Sequence, residues 1–309
     1  MRNIVTGGAG LIGSHLIDKL LSSNEEVICL DNFATGSYEN IKHHISNPNF
    51  KFIDHDVTKK PPNISCQKLW HLACPASPKK YQINPIETSK ICFIGTYNML
   101  ELAIRNKSKF LLASTSEIYG NPKVHPQTEN YEGSVSTTNI RACYEEGKRI
   151  AETLCCDFNR KYNLDIRIAR IFNTYGPRMD IDDGRVISNF IVQSLKSNAI
   201  TIYGDGSQTR SFCFVDDMVN GIIDLMNSNY QKPINLGHDK EYKILDLAEK
   251  IKYKVNSKVI YKNLKLPEAD PQRRNPSTLL AKQILNWEPK FGLSEGLDKT
   301  IKFFANNLN

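Results

Sequence analysis

Thr6-Gly7-Gly8-Ala9-Gly10-Leu11-Ile12-Gly13 directly follows a short apolar strand, Asn3 to Thr6, and opens a helix with apolar positions at Leu16, Leu20 and Leu21. Glycines here let the chain turn tightly, bring backbone N–H groups up to a diphosphate and seat the helix against the strand. The helix N-terminus adds its positive dipole end to the same anion site. A second apolar run, Val27 to Leu30, ends in Asp31, where a carboxylate can grip the adenine-ribose hydroxyls and repel a 2′-phosphate. No Arg or Lys follows directly (Asn32, Phe33, Ala34). Strand, glycine loop, helix, strand and Asp together predict a dinucleotide site that takes NAD rather than NADP.

Working outward, the first half alternates two periodicities. Asn3–Thr6, Val27–Leu30, Phe50–Ile53, Lys68–Leu72, Phe110–Ser114 and Ile166–Phe172 read as strands. Leu11–Leu21, Pro85–Arg105 and Tyr144–Tyr162 read as helices. This predicts an α/β fold with a Rossmann-type, doubly wound parallel sheet. After Pro177 and Asp182-Asp183-Gly184 the elements are mixed. Helices are expected at Val186–Lys196, Asp216–Met226, Leu245–Lys254 and Leu293–Phe304, with a strand at Ile200–Tyr203. The reading is an NAD-binding domain over 1–172, with a return segment at 212–236. A smaller mixed α/β substrate domain covers 173–211 and 237–309.

The chain of 309 residues is large enough for a sizeable core. No stretch reaches bilayer-spanning length and no signal peptide precedes the first strand, so no membrane association is expected. Eight cysteines are scattered without a C-x-x-C pair, which reads as reduced packing thiols, no metal site and a cytoplasmic setting. The net charge of +7 is not gathered into a basic block. An anionic small substrate accounts for the arginines without nucleic acid.

Tyr144-Glu145-Glu146-Gly147-Lys148 places a phenol and an ammonium a turn apart on one helix face. A lysine charge and an oxidised nicotinamide would pull the phenol's pKa down, making it a general base for an alcohol. Ser114-Thr115-Ser116-Glu117-Ile118-Tyr119-Gly120 stands at the end of the fifth strand, where side chains meet ligands in such sheets.

With the glycine loop, Asp31, Asp56-Val57, Thr115 and Tyr144/Lys148, the chain resembles the extended short-chain dehydrogenase/reductase superfamily. Within it, longer runs resemble the UDP-glucuronate decarboxylase (UDP-xylose synthase) family. They are His71-Leu72-Ala73-Cys74-Pro75-Ala76-Ser77-Pro78, Ala113–Gly120, Arg141-Ala142-Cys143-Tyr144, Arg170-Ile171-Phe172-Asn173-Thr174-Tyr175-Gly176-Pro177-Arg178-Met179 and Ser207-Gln208-Thr209-Arg210.

The resemblance implies NAD contacts at Gly7, Gly10, Leu11, Ile12, Asp31, Asn32, Thr35, Gly36, Asp56, Val57, Leu72, Tyr144 and Lys148. It implies catalytic roles for Thr115, Ser116, Glu117, Tyr144, Lys148 and Arg274. Substrate contacts are implied at Ala76, Tyr81, Lys90, Arg141, Asn173, Arg185, Tyr203 and Arg210, and a homodimer through helices Pro85–Arg105 and Tyr144–Tyr162. The implied reaction takes UDP-glucuronate to UDP-xylose. C4 is oxidised, carbon dioxide leaves from the acid β to the new ketone, and the ketone is reduced again. Glu117 would lie near C5 and Arg274 near the departing carboxylate.

Sister 4,6-dehydratases carry Thr-Asp-Glu where this chain has Thr115-Ser116-Glu117, and Ser116 has no acidic proton to give. A 4-epimerase would not be expected to carry Glu117. The alternatives are release of the 4-keto pentose, dehydratase or epimerase chemistry, or a non-enzymatic NAD-binding protein. The family's Asn on the fourth helix is Cys92 here, its Pro-Ile-Gly-Pro before Arg141 is Thr137-Thr138-Asn139-Ile140, and its proline-aspartate after Arg274 is Pro276-Ser277.

Overall fold

Alternation of side chains across the pleat sorts the apolar residues of each central strand onto two faces. Ile4 and Val5 are both buried but belong to different cores, as do Leu111 and its neighbours Phe110 and Leu112. A strand apolar on both faces must be covered on both faces, as parallel sheets are. The computed structural model, which describes residues 1–266 and 273–308, shows that arrangement. Residues 267–272 and 309 of the expected second domain lie outside it.

The central sheet has seven parallel strands. In chain order they are β1 (Arg2–Thr6), β2 (Glu26–Asp31), β3 (Phe50–Asp54), β4 (Lys68–His71), β5 (Lys109–Thr115), β6 (Ile166–Ile171) and a seventh, Pro233–Leu236. Across the sheet the order is seventh strand, β6, β5, β4, β1, β2, β3. The order reverses beside β1, so the crevice at the strand ends there is the ligand position of an open α/β sheet.

Helix Leu11–Ser22 and helix Val215–Asn227 cover one face, through Leu16, Ile17, Leu20, Met218, Ile222 and Leu225. The other face is covered by the continuous helical run Pro85–Lys90, Ile91–Gly95 and Thr96–Asn106, and by helix Ala142–Tyr162. Ile91–Gly95, the middle of that run, is a π turn.

The remaining elements sit at the carboxyl ends of the strands. Helices Val186–Leu195, Ile244–Lys254 and Leu293–Asn307 share the first core with Tyr175, Phe212 and Phe214. Strand Ile200–Tyr203 pairs with Tyr261–Leu264, and Thr209–Ser211 lies between Glu241–Lys243 and Arg273–Arg274. Strand Ile200–Tyr203 lies where the sequence expects it, whereas its partner Tyr261–Leu264, the three strands around Thr209–Ser211 and helix Leu279–Leu285 are not expected, since two to seven residues carry too little periodicity. Among the described residues no helix is long and apolar enough to cross a membrane.

Candidate active site

A cleft of about 1210 Å³ runs from the glycine loop to the second group of elements. That exceeds the ~1,000 Å³ upper range of a drug-sized pocket, so it has room for two ligands end to end.

At one end, Gly7 turns with φ +69°, and a Cβ there would stand 2.8 Å from the Ala73 backbone. A Cβ on Gly13 would overlap the Gly7 carbonyl oxygen. The loop is therefore closed on itself, with Gly10 N–H donating to the Gly7 carbonyl at 3.2 Å. Asp31 ends β2 beside it. Its carboxylate accepts from Ala9 N–H at 2.9 Å and Phe33 N–H at 2.8 Å. Burial pushes the Asp31 carboxyl up, and the backbone donors oppose that shift. Gly10, Leu11, Ile12, Asn32, Thr35, Gly36, Asp56, Val57 and Leu72 complete this wall. A backbone cradle that tolerates no side chain, with a carboxylate at the next strand end, fits NAD.

The middle of the cleft is the end of β5. Thr115 caps the 3-10 turn Ser116–Tyr119, its hydroxyl accepting from Glu117 N–H at 3.2 Å, and it lines the cleft together with Tyr144. Lys148, one turn on, donates to the Ala113 carbonyl at 2.8 Å and lies 5.9 Å from the Tyr144 ring centre. The helical spacing therefore brings the expected trio together, but the electrostatics differ from the sequence expectation. Burial, and next the Cys74 thiol, push the Tyr144 phenol well above its usual range, with Thr115 opposing. In the protein alone the Lys148 charge does not reverse this.

Glu117 is held between two arginines 24 residues after it and 157 residues after it in the chain, Arg141 and Arg274. Burial pushes its carboxyl up, but Arg274 and Arg141 outweigh burial and hold it at about 2. Glu117 is thus a carboxylate at neutral pH and has no proton of its own to give. Arg274 also donates to the Gly120 carbonyl at 3.1 Å.

The far end is lined by Ala76, Asn173, Arg185, Tyr203 and Arg210. Asn173 donates to the Ser211 carbonyl at 3.2 Å, and Arg210 to the Thr209 carbonyl at 2.8 Å. Arg185 is oriented by Asp183, at 2.6 and 2.8 Å.

Two expected substrate contacts do not reach the cleft wall. Lys90 is exposed and paired with Glu87 at 3.4 Å, on the outer side of the helix just before the π turn. Tyr81 is fully buried, its ring stacked on Tyr144 at 4.8 Å and 5°, so it backs the general-base candidate instead. Its hydroxyl finds no hydrogen-bond partner among the described residues. Sequence reasoning missed Asp183, which orients Arg185. It also passed over Arg178, which lines the cleft and pairs with Asp18 at 2.7 Å. In the sequence, Asp182-Asp183-Gly184 marks only a break in the pattern.

A family model described as GDP-mannose 4,6 dehydratase matches residues 4–300. UDP-glucuronic acid decarboxylase 6 of Arabidopsis thaliana is 52% identical over 96% of this chain and 87% of that protein. UDP-glucuronic acid decarboxylase 1 of Danio rerio is 51% identical over 99% of this chain and 73% of that protein. Among solved structures, UDP-glucuronic acid 4-epimerase from Bacillus cereus, in complex with UDP-glucuronic acid and NAD, superposes with a TM-score of 0.89. It is 27% identical, and the match covers 100% of both chains. The chain belongs to the GDP-mannose 4,6 dehydratase family and, within it, to the UDP-glucuronic acid decarboxylases.

Proposed function

We propose that this cleft converts UDP-glucuronate to UDP-xylose and carbon dioxide with NAD as resident cofactor. The observation that carries it is one cleft lined by Thr115, Tyr144 and Lys148 and, next to them, by the Arg141–Glu117–Arg274 cluster. One part handles a sugar hydroxyl and the other a carboxylate.

NAD, when bound, supplies the oxidant that removes hydrogen from C4 and returns it at the end of the cycle. The Tyr144 phenol would be ionised, against the effect of burial, by the positive charge of an oxidised nicotinamide added to that of Lys148, and the phenolate would take the proton of the C4 hydroxyl with Thr115 beside it. The C4 ketone then lies β to the C6 carboxylate, so the C5–C6 bond breaks with its electron pair spread onto O4. The hydroxyls of Tyr144 and Thr115 meet that charge, the oxyanion type of stabilisation. Arg274 orients the carboxylate before it leaves. Glu117, already ionised, positions the water that protonates C5. Arg210 and Arg185, which line the far end of the cleft, would take the diphosphate, where a planar guanidinium suits phosphate oxygens.

Ser116 supports this over 4,6-dehydration, because a serine cannot protonate a leaving 6-hydroxyl at neutral pH. The test is the product formed from UDP-glucuronate with catalytic NAD. UDP-xylose with released carbon dioxide is expected. Net NADH with a 4-keto pentose would mean a cycle that stops half-way, and UDP-galacturonate would mean epimerisation.

The working unit we infer is a homodimer. Ile86, Phe93, Ile94 and Tyr97 on the Pro85–Asn106 run, and Ile150 and Tyr162 on helix Ala142–Tyr162, are exposed on two helices that pack side by side. Sedimentation should give twice 35.1 kDa, and a species of 35.1 kDa alone would refute it. The eight unpaired thiols support a reducing, cytoplasmic setting.

A further inference from the structure

We propose that Cys74 and Cys92 form a reversible dithiol–disulfide pair through which small oxidants switch the active site off. The two sulfurs are 3.4 Å apart, although the residues come from different elements. Cys74 lies in the loop after β4 and lines the cleft, so it can be reached by a small molecule. Cys92 is buried in the π turn Ile91–Gly95. Such turns are uncommon and concentrate at functional places. The turn seats Cys92 on Gly147, where a Cβ would stand 2.9 Å from both its Cβ and its sulfur. That glycine lies between Tyr144 and Lys148, so the thiol pair rests against the catalytic helix at its working turn. The hydrogen bond from Cys92 draws the Cys74 thiol below its ordinary range, with Lys148 adding to it, while Cys92 is pushed up. One sulfur is thus suited to attack and the other to resolve.

With a small organic disulfide as oxidant, the chemistry balances. The Cys74 thiolate attacks one sulfur of the reagent and expels a thiolate. Cys92, losing its proton, then attacks the Cys74 sulfur of the mixed disulfide and expels the second thiolate. The protein loses two electrons and two protons, and the reagent becomes two thiols. Closing the gap from 3.4 Å to a bond of about 2.05 Å moves the two sulfurs together by more than 1 Å against the Gly147 turn of the catalytic helix. A displacement of that size beside the reacting groups costs about 100-fold in rate.

The activity arm rests on the decarboxylase reading; the chemical arm does not. The NAD-loaded protein is treated with 2-hydroxyethyl disulfide, its free thiols are blocked, and its peptides are mapped by mass spectrometry. A linked Cys74–Cys92 peptide is expected, reversed by dithiothreitol. Cys92→Ser should instead trap the reagent on Cys74. Turnover of UDP-glucuronate in the unmutated protein should fall by more than tenfold, in proportion to the linked peptide, and return on reduction. Absence of the linked peptide, no adduct on Cys74 in Cys92→Ser, or full turnover by the linked form would each overturn the proposal. If the protein lacks decarboxylase activity altogether, the peptide map still decides whether the pair forms.

Discussion

Replacing Glu117 by Gln tests the electrostatics of the site most directly, because the carboxylate is almost buried between two cations. Its pKa is held at about 2, against the ordinary glutamate value of 4.5. At ~1.4 kcal/mol per unit, that depression corresponds to roughly 3 kcal/mol of folding stability at neutral pH. The sign follows from the direction of the shift. A depressed carboxyl stabilises above its unfolded pKa and loses that contribution as pH falls through the folded value. The advantage of the unmutated protein over Glu117→Gln should therefore be roughly 3 kcal/mol at pH 7 and about 1 kcal/mol at pH 3.

A glutamine keeps one carbonyl acceptor for Arg141 or Arg274 but turns its amide toward the other, leaving a buried guanidinium poorly paired. The substrate's own carboxylate can supply the missing anion. UDP-glucuronate should therefore raise the midpoint of thermal unfolding more in Glu117→Gln than in the unmutated protein, while UDP-glucose should not. Urea unfolding across pH 3–7 and thermal unfolding with both nucleotides are the assays. A variant as stable as the parent at pH 7, or a stability gap that does not shrink in acid, would refute the reasoning.

Tyr144→Phe keeps the ring stacked on Tyr81 and removes only the phenol oxygen. Turnover should fall by roughly 10²- to 10⁴-fold while NAD binding, followed by calorimetry, is unchanged; retained activity would remove the base assignment. Gly13→Ala drives a methyl group into the Gly7 carbonyl and should weaken NAD binding at least tenfold in the same titration. Glu152→Ala strips Arg170 of two hydrogen bonds, at 3.1 and 2.9 Å, in the interior beneath β5 and β6. Breaking a buried ion pair from one side costs about 3–5 kcal/mol, so thermal unfolding should shift down by roughly 10 °C.

The parts of the molecule legible in the sequence are those set by local repetition. Apolar runs such as Val27–Leu30 and the helical spacing of Tyr144 and Lys148 predict the sheet and the catalytic helix within a residue or two. What is not legible depends on non-local closure. Nothing in the neighbourhood of Glu117 announces that Arg274 will arrive from a two-residue strand. The resemblance implies a substrate contact at Lys90, but Lys90 precedes a π turn that a 3.6-residue period does not contain, and it is exposed and paired with Glu87. Tyr144 shows the same limit in electrostatics. The sequence names its lysine neighbour but not the burial that outweighs it.

Arg274 is held by a brace that begins some distance from the chemistry. Its strand rests on Thr209–Arg210 on one side. On the other, buried Gln127 exchanges hydrogen bonds with Asn275 and Ser277, each at 2.8 Å. The same surface stretch, continuing through Asn139, accepts the Arg141 N–H at 2.7 Å. Both cations that grip Glu117 are therefore set in position in part by residues 120–140, none of which is a reacting group. A change at Gln127 or Asn139 would reach the anion grip through these contacts while leaving Tyr144 and Lys148 untouched.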